Sequence, residues 1–204
     1  MCQVEENVVA ESESGLARTH ERILAATWTL MEESKDLNVR IADIAAAAGV
    51  SRQAVYLHFG NRANLLLAAV RYRDEKSPTA GIRLAATTDP VPEALTAFVE
   101  RWFAHIPRIQ PIAQLLSAAS QTDPEARVAW DDRMNLLRRN SLSLAKRLAE
   151  AGLLRPEWTA ERAADWIWHR THLDGWRHLV AERGWDAADY GRRVAASLRR
   201  DLLN

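Results

Sequence analysis

A chain of 204 residues, 48% of them hydrophobic, can bury a sizeable core, and its 27 basic against 27 acidic residues exclude the strongly basic class of nucleic-acid binders. Few glycines (8) and prolines (7), with abundant alanine and leucine and no long β-branched alternation, exclude a sheet protein and indicate an all-α fold. The lone Cys2 makes no internal disulfide, the N-terminus has no signal-peptide core and no stretch nears the ~18 apolar residues of a membrane span, so a cytoplasmic protein without a membrane partner is expected.

Residues 1–14 carry Glu5, Glu6, Glu11 and Glu13 without a basic residue and are expected to be a disordered tail. A first helix is expected over 16–33, where Ile23, Leu24, Thr27, Trp28, Leu30 and Met31 form one stripe. After a connector at 34–38, in which Asn38 is the expected cap, residues 39–67 read VRIADIAAAAGVSRQAVYLHFGNRANLLL. Ile41, Ile44, Ala45 and Ala48 recur at helical spacing, and Gly49 sits where the chain must stop in a left-handed conformation. Ser51 is an N-cap for a second helix over 52–59, which turns Val55 and Phe59 inward and Arg52, Gln53, Tyr56 and His58 outward. A short helix, a glycine turn and a polar, serine-capped second helix make a helix-turn-helix, whose second helix fits the DNA major groove. Arg52 and Gln53 stand at its N-terminal end, and both suit bidentate readout of guanine or adenine. His58 has a second reading, as a buried structural histidine.

A linking helix follows over 61–76, ended or kinked by Ser77-Pro78. Another is expected from Asp89 or Val91-Pro92 to about 105, and Pro107 and Pro111 bracket the start of a shorter one carrying Ile112, Leu115, Leu116 and Ala119. Asp123-Pro124 opens a long helix to 151, stopped by Gly152. Thr159 caps a helix running to about 183, where Gly184 ends it, and Asp186 caps the last, to 203.

Of the eight tryptophans, Trp158, Trp166, Trp168, Trp176 and Trp185 fall after Arg155. They suit core or dimer packing, or an aromatic pocket. The pocket reading takes Phe98, Trp102, His105, Trp130, Met134, Leu137 and Trp168 as lining, with His105 and Arg138 as polar anchors, and favours a flat, hydrophobic ligand with one acceptor or acidic group. His169 and His172, near Asp165 and His178, permit a metal site on paper, but no second cluster supports one and none is assigned. No phosphate loop, nucleophile elbow, HExxH or CxxC is present, so no catalytic residue or cofactor is assigned. An all-α enzyme would leave the sequence after Gly49 without a purpose.

The segment GVSRQAVYLHFGNRANLLL resembles the DNA-binding core of TetR-type transcriptional repressors, with Ile44-Ala45, Ala48-Gly49-Val50-Ser51, Tyr56, His58-Phe59, Arg62 and Leu65 matching the pattern. The closing segments GLLRPEWTAERAADWIW and LVAERGWDAADYGRRVAASLRRDLL resemble the last helices of an actinobacterial branch, while the centre matches only in length and helical pattern. The resemblance implies a three-helix DNA-binding domain over 15–62 and a helical effector-binding and dimerisation domain over 63–204. It also implies phosphate contacts from Ser51, Tyr56, His58 and Arg62, the last replacing a lysine; Arg40 completes the expected DNA-contact set. Arg18, Arg22, Lys35, Arg40, Arg52 and Arg62 are a modest supply of cations, so few phosphate contacts are expected. The implied protein is a ligand-responsive regulator, a repressor or alternatively an activator. It would bind double-stranded DNA at a palindromic operator as a homodimer and be released by an unknown small-molecule effector. Helices over 163–180 and 187–203 are expected to pair with their symmetry mates, with Leu173, Val180, Val194 and Leu198 at the interface.

Overall fold

The computed structural model describes the backbone of residues 2–34, 37, 39–75, 80–91 and 93–204, and the side chains of these except at 2–14, 74, 75, 80 and 81. The described chain is helical throughout: α1 (Cys2–Ser34), α2 (Ile41–Ala48), α3 (Arg52–Phe59), α4 (Arg62–Glu75), α5 (Ala80–Thr87), α6 (Glu93–Ala119), α7 (Pro124–Glu150), α8 (Ala160–Arg170), α9 (Leu173–Trp176), a π-helical turn (Arg177–Ala181) and α10 (Ala187–Leu202). Its β-pairing among the described residues is one isolated bridge, Leu154 with Leu203. None of its described helices is long and apolar enough to cross a membrane.

Two compact units result, one of residues 1–76 with 111–130 and the other of 77–110 with 131–204. These units differ from the division expected at 62/63. In the first unit α1 turns Ile23, Leu24, Trp28 and Met31 onto Ile44, Ala45 and Ala48 of α2 and Val55 and Phe59 of α3. Helix α4 buries Leu65, Leu66, Ala69 and Val70 in that same core, and Ile112, Leu116, Ala126 and Ala129 join it. That burial is why the first unit keeps α4, the end of α6 and the start of α7.

The tail expected over 1–14 lies, from Cys2 onward, on the backbone of α1. No proline or glycine precedes Gly15, and glutamates near a helix N-terminus complement its dipole. The expected cap Asn38 lies outside the described residues; the N-cap position of α2 is Arg40, which makes no side-chain cap bond. Ser77-Pro78 also lies outside the described residues.

In the second unit the core is built from Phe98, Val99 and Phe103 of α6, Leu144 and Leu148 of α7, Ile167 of α8, and Val194, Leu198 and Leu202 of α10. Helix α5, which turn signals did not foretell, adds Ile82, Ala85 and Ala86. Pro107 and Pro111 do not start a new helix, because α6 runs through both. Both prolines are exposed, so their rings take no space in the core, and the helix continues.

The single helix expected from 160 to 183 is broken after Arg170. Thr171 turns its hydroxyl back onto Ile167 O (2.7 Å), and its own carbonyl accepts the Trp102 indole N–H at 2.7 Å. That carbonyl is thereby engaged from outside the helix. His172, extended at φ −61°, ψ 147°, then restarts the chain as the N-cap of α9. Gly175 follows where a Cβ would stand 2.5 Å from the Tyr190 hydroxyl, so any larger residue would have to displace that side chain. At the other expected ends the turn chemistry holds. The Thr159 and Asp186 side chains accept the N–H groups of Arg162 (3.3 Å) and Asp189 (2.7 Å), and the Asp123 carboxylate accepts those of Glu125 (2.8 Å) and Ala126 (3.3 Å).

Candidate nucleic-acid interface

The turn between α2 and α3 is set by two side chains, one backbone N–H and one glycine. Gly49 stops α2 at φ 63°, ψ 42°, and the Val50 N–H reaches back to Ala45 O at 2.9 Å. Arg22 of α1 donates to the Gly49 carbonyl (3.1 Å) and to the Ala48 carbonyl, placing its charge at the negative end of α2. Ser51, extended at φ −77°, ψ 155°, starts α3 by accepting the Ala54 N–H on its hydroxyl at 3.1 Å.

Val55 and Phe59 anchor α3 with 1% and 7% exposure. The opposite face is open, with Arg52 and Gln53 exposed, Tyr56 47% exposed and Leu57 80%. His58 is half-buried and turned toward α1, where its ring lies 5.8 Å from that of His20. His20 in turn stacks on Phe59 at 4.7 Å. Burial, then the neighbouring His58, lowers the His20 pKa below its ordinary 6.5, against a pull upward from Glu21. Of the two readings of His58, packing accounts for this placement.

Arg62 is placed differently from the phosphate contact expected of it. Its guanidinium donates to Asp123 (2.9 Å), to Glu125 (3.1 Å) and to the Leu37 carbonyl (2.9 Å), with 23% of the side chain exposed. Burial opposes its charge, but the bonds to Asp123 and Glu125 outweigh it and raise its pKa above the ordinary arginine value. The Arg62 bond is also the main cause of a lowered Asp123 pKa, against burial and with help from the Glu125 and Ala126 amides. Arg40 is exposed and held by Asp43 at 2.9 and 3.2 Å.

The expected effector residues separate into two groups. Phe98, Trp102, Leu137 and Trp168 meet in the core of the second unit, and buried His105 lies there with its ring 6.2 Å from that of Trp102. Half-buried Met134 lends its carbonyl to the Trp168 indole at 3.2 Å. Trp130 instead packs against the core of the first unit. The anchor Arg138 is exposed and paired with Asp165 at 2.9 Å. Of the expected dimer residues, Leu173 and Val180 are half-buried, whereas Val194 and Leu198 are 4% and 0% exposed within one chain. Those two face the chain's own core and cannot meet a partner.

A helix-turn-helix with a capped second helix and an open polar face defines a sequence-reading DNA-binding domain. Residues 23–69 match the family model described as bacterial regulatory proteins, tetR family. The fold is similar over nearly its whole length to NalD, the secondary repressor of the MexAB-OprM multidrug efflux pump in Pseudomonas aeruginosa, at TM-score 0.67 and 22% identity, covering 93% of this chain and 98% of that one. It is also similar to the regulator FadR from Bacillus subtilis in complex with stearoyl-CoA (TM-score 0.70, 14% identity, 89% and 98% covered). A TetR transcription regulator from Haloarcula marismortui gives TM-score 0.69 at 19% identity, with 92% and 100% covered. No curated protein sequence matches significantly. Residues 23–69 therefore carry the DNA-binding domain of that family, and the chain as a whole shares the fold of these regulators.

Proposed function

We propose that the protein is a cytoplasmic, homodimeric repressor that binds a palindromic operator and is released by a small hydrophobic effector. The observation that carries the reading is α3 itself, a helix of eight residues fixed at both ends and anchored by Val55 and Phe59, with Arg52, Gln53 and Tyr56 exposed on one side. Two such helices related by a two-fold axis read two half-sites, which makes the operator a palindrome. Ser51, Tyr56 and Arg40 are the proposed backbone contacts and Arg52 and Gln53 the base contacts. The repressor role is supported by the likeness to NalD, named a repressor. An effector site in the second unit, around Trp102, His105, Leu137 and Trp168, is supported by the likeness to a neighbour that holds stearoyl-CoA. The effector would act by favouring a dimer geometry that no longer fits both half-sites.

The test is selection of binding sites from random duplex DNA with purified protein, followed by sizing and by transcription in vitro from a promoter carrying the selected site. Expected are a two-fold symmetric consensus, a dimer at micromolar concentration, reduced transcript, and release on adding stearoyl-CoA as the first effector tried. A monomer that binds one half-site, or a rise in transcript, rejects the corresponding part.

A further inference from the structure

The most exposed large hydrophobic side chain described in this protein is Leu57, 80% accessible and in the middle of α3. Nothing in the fold explains it. The core is met by Val55 and Phe59, and Leu57, two residues from each, points directly away from them. A lone exposed leucine is ordinary on a protein surface. This one lies on the outward face of the reading helix, one turn after Gln53, where docking into DNA would strip its water.

The major groove presents hydrogen-bonding edges at every base pair, and the apolar group it offers is the thymine 5-methyl. A leucine there has no hydrogen bond to give, so a groove of polar edges would penalise it and a methyl would reward it. We propose that Leu57 is a specificity-determining residue that reads a thymine methyl in each half-site. The position follows from spacing. Four residues of helix advance about 6 Å, close to two base-pair steps of about 3.4 Å. The thymine is therefore one or two base pairs from the pair met by Gln53. This inference rests on the DNA-reading role of α3.

The experiment uses the full-length protein and the half-site consensus obtained by selection from random duplex. Each thymine is replaced in turn by deoxyuridine, which removes only the methyl, and affinity is measured for wild type and for Leu57→Ala. One thymine per half-site should lose roughly fourfold in wild-type affinity, the worth of one buried methyl, and nothing further in Leu57→Ala. Gln53→Ala should leave that methyl effect in place. An unchanged melting temperature for Leu57→Ala, expected from its exposure, confirms that the variant is folded. The proposal is overturned if every methyl effect persists in Leu57→Ala, or if no thymine shows one although a consensus was selected. Selection that yields no preferred sequence overturns the DNA-reading role itself, and is distinguished by the missing consensus.

Discussion

Arg62→Ala separates two roles for one cation. If Arg62 is a clamp inside the first unit, its loss removes charge-assisted bonds to Asp123 and Glu125 and leaves the Leu37 carbonyl without that donor. Hydrogen bonds to charged groups contribute roughly 1.5–3 kcal/mol where sheltered, and exposed ion pairs little more than zero to about 1 kcal/mol. The three side chains are 23%, 27% and 40% exposed, between those limits. About 2 kcal/mol is the resulting estimate, which for a chain of this size lowers the melting temperature by about 4–8 °C. Thermal unfolding followed by circular dichroism measures it, and an Arg62→Ala, Asp123→Asn double-mutant cycle isolates the pair.

The effect has a definite pH window. The folded pKa of Asp123 lies below its ordinary 3.8, so its share of the stability is full above that value and is lost as pH falls through the lower, folded one. Arg62, raised above its ordinary value, loses its share only at strongly alkaline pH. Wild type and Arg62→Ala should therefore differ fully at neutral pH and converge only as pH falls below 3.8, through the lowered pKa of Asp123. The reasoning is refuted if Arg62→Ala melts like wild type while its DNA affinity falls and its salt slope drops by about 0.9 per subunit, the mark of a lost phosphate contact.

Gly49→Ala should destabilise by about 1–2 kcal/mol, since φ 63° is left-handed and a Cβ would stand 2.9 Å from an Arg22 nitrogen; a melting temperature equal to wild type would show the turn to be unstrained. Leu198→Glu should give unfolded or aggregated protein, because Leu198 is fully buried in a single chain; a folded monomer by sizing and circular dichroism would contradict this and restore an interface role. Trp102→Phe should cost about 1 kcal/mol through loss of the 2.7 Å bond to Thr171 O, read as a lower denaturation midpoint; an unchanged midpoint would mean that water replaces the bond.

What the sequence made legible was local. Gly49, Ser51, Thr159 and Asp186 act through their own backbone or that of the next three residues, and each was placed from its own chemistry. What it hid was decided by partners far along the chain. Pro107 and Pro111 carry a strong breaking signal, yet α6 runs through both, and both lie on its exposed side, a fact of tertiary placement. The break at Thr171 depends on an indole 69 residues away. Val194 and Leu198 recur on one face of α10, and periodicity alone does not say whether such a face meets the same chain or another.

Cations show the same limit in the candidate site, and here it alters the function. Counting basic residues in the sequence treats each as available to phosphate. In the structure Arg22 is spent on the end of α2, Arg62 on two carboxylates and a carbonyl, and Arg73 lies 5.6 Å over the Trp28 ring. Arg40 is held by Asp43, but with 80% of its side chain exposed that pair is weak enough to be exchanged for a phosphate. On α3 itself the arginine is Arg52 alone, beside the neutral Gln53, Tyr56 and Leu57. Such a surface gains little from counterion release, so its non-specific affinity is low and its salt slope shallow. Its discrimination then comes from base edges and fit. Each engaged arginine lowers the attraction to every DNA sequence alike, and leaves discrimination between sequences to the exposed face of α3.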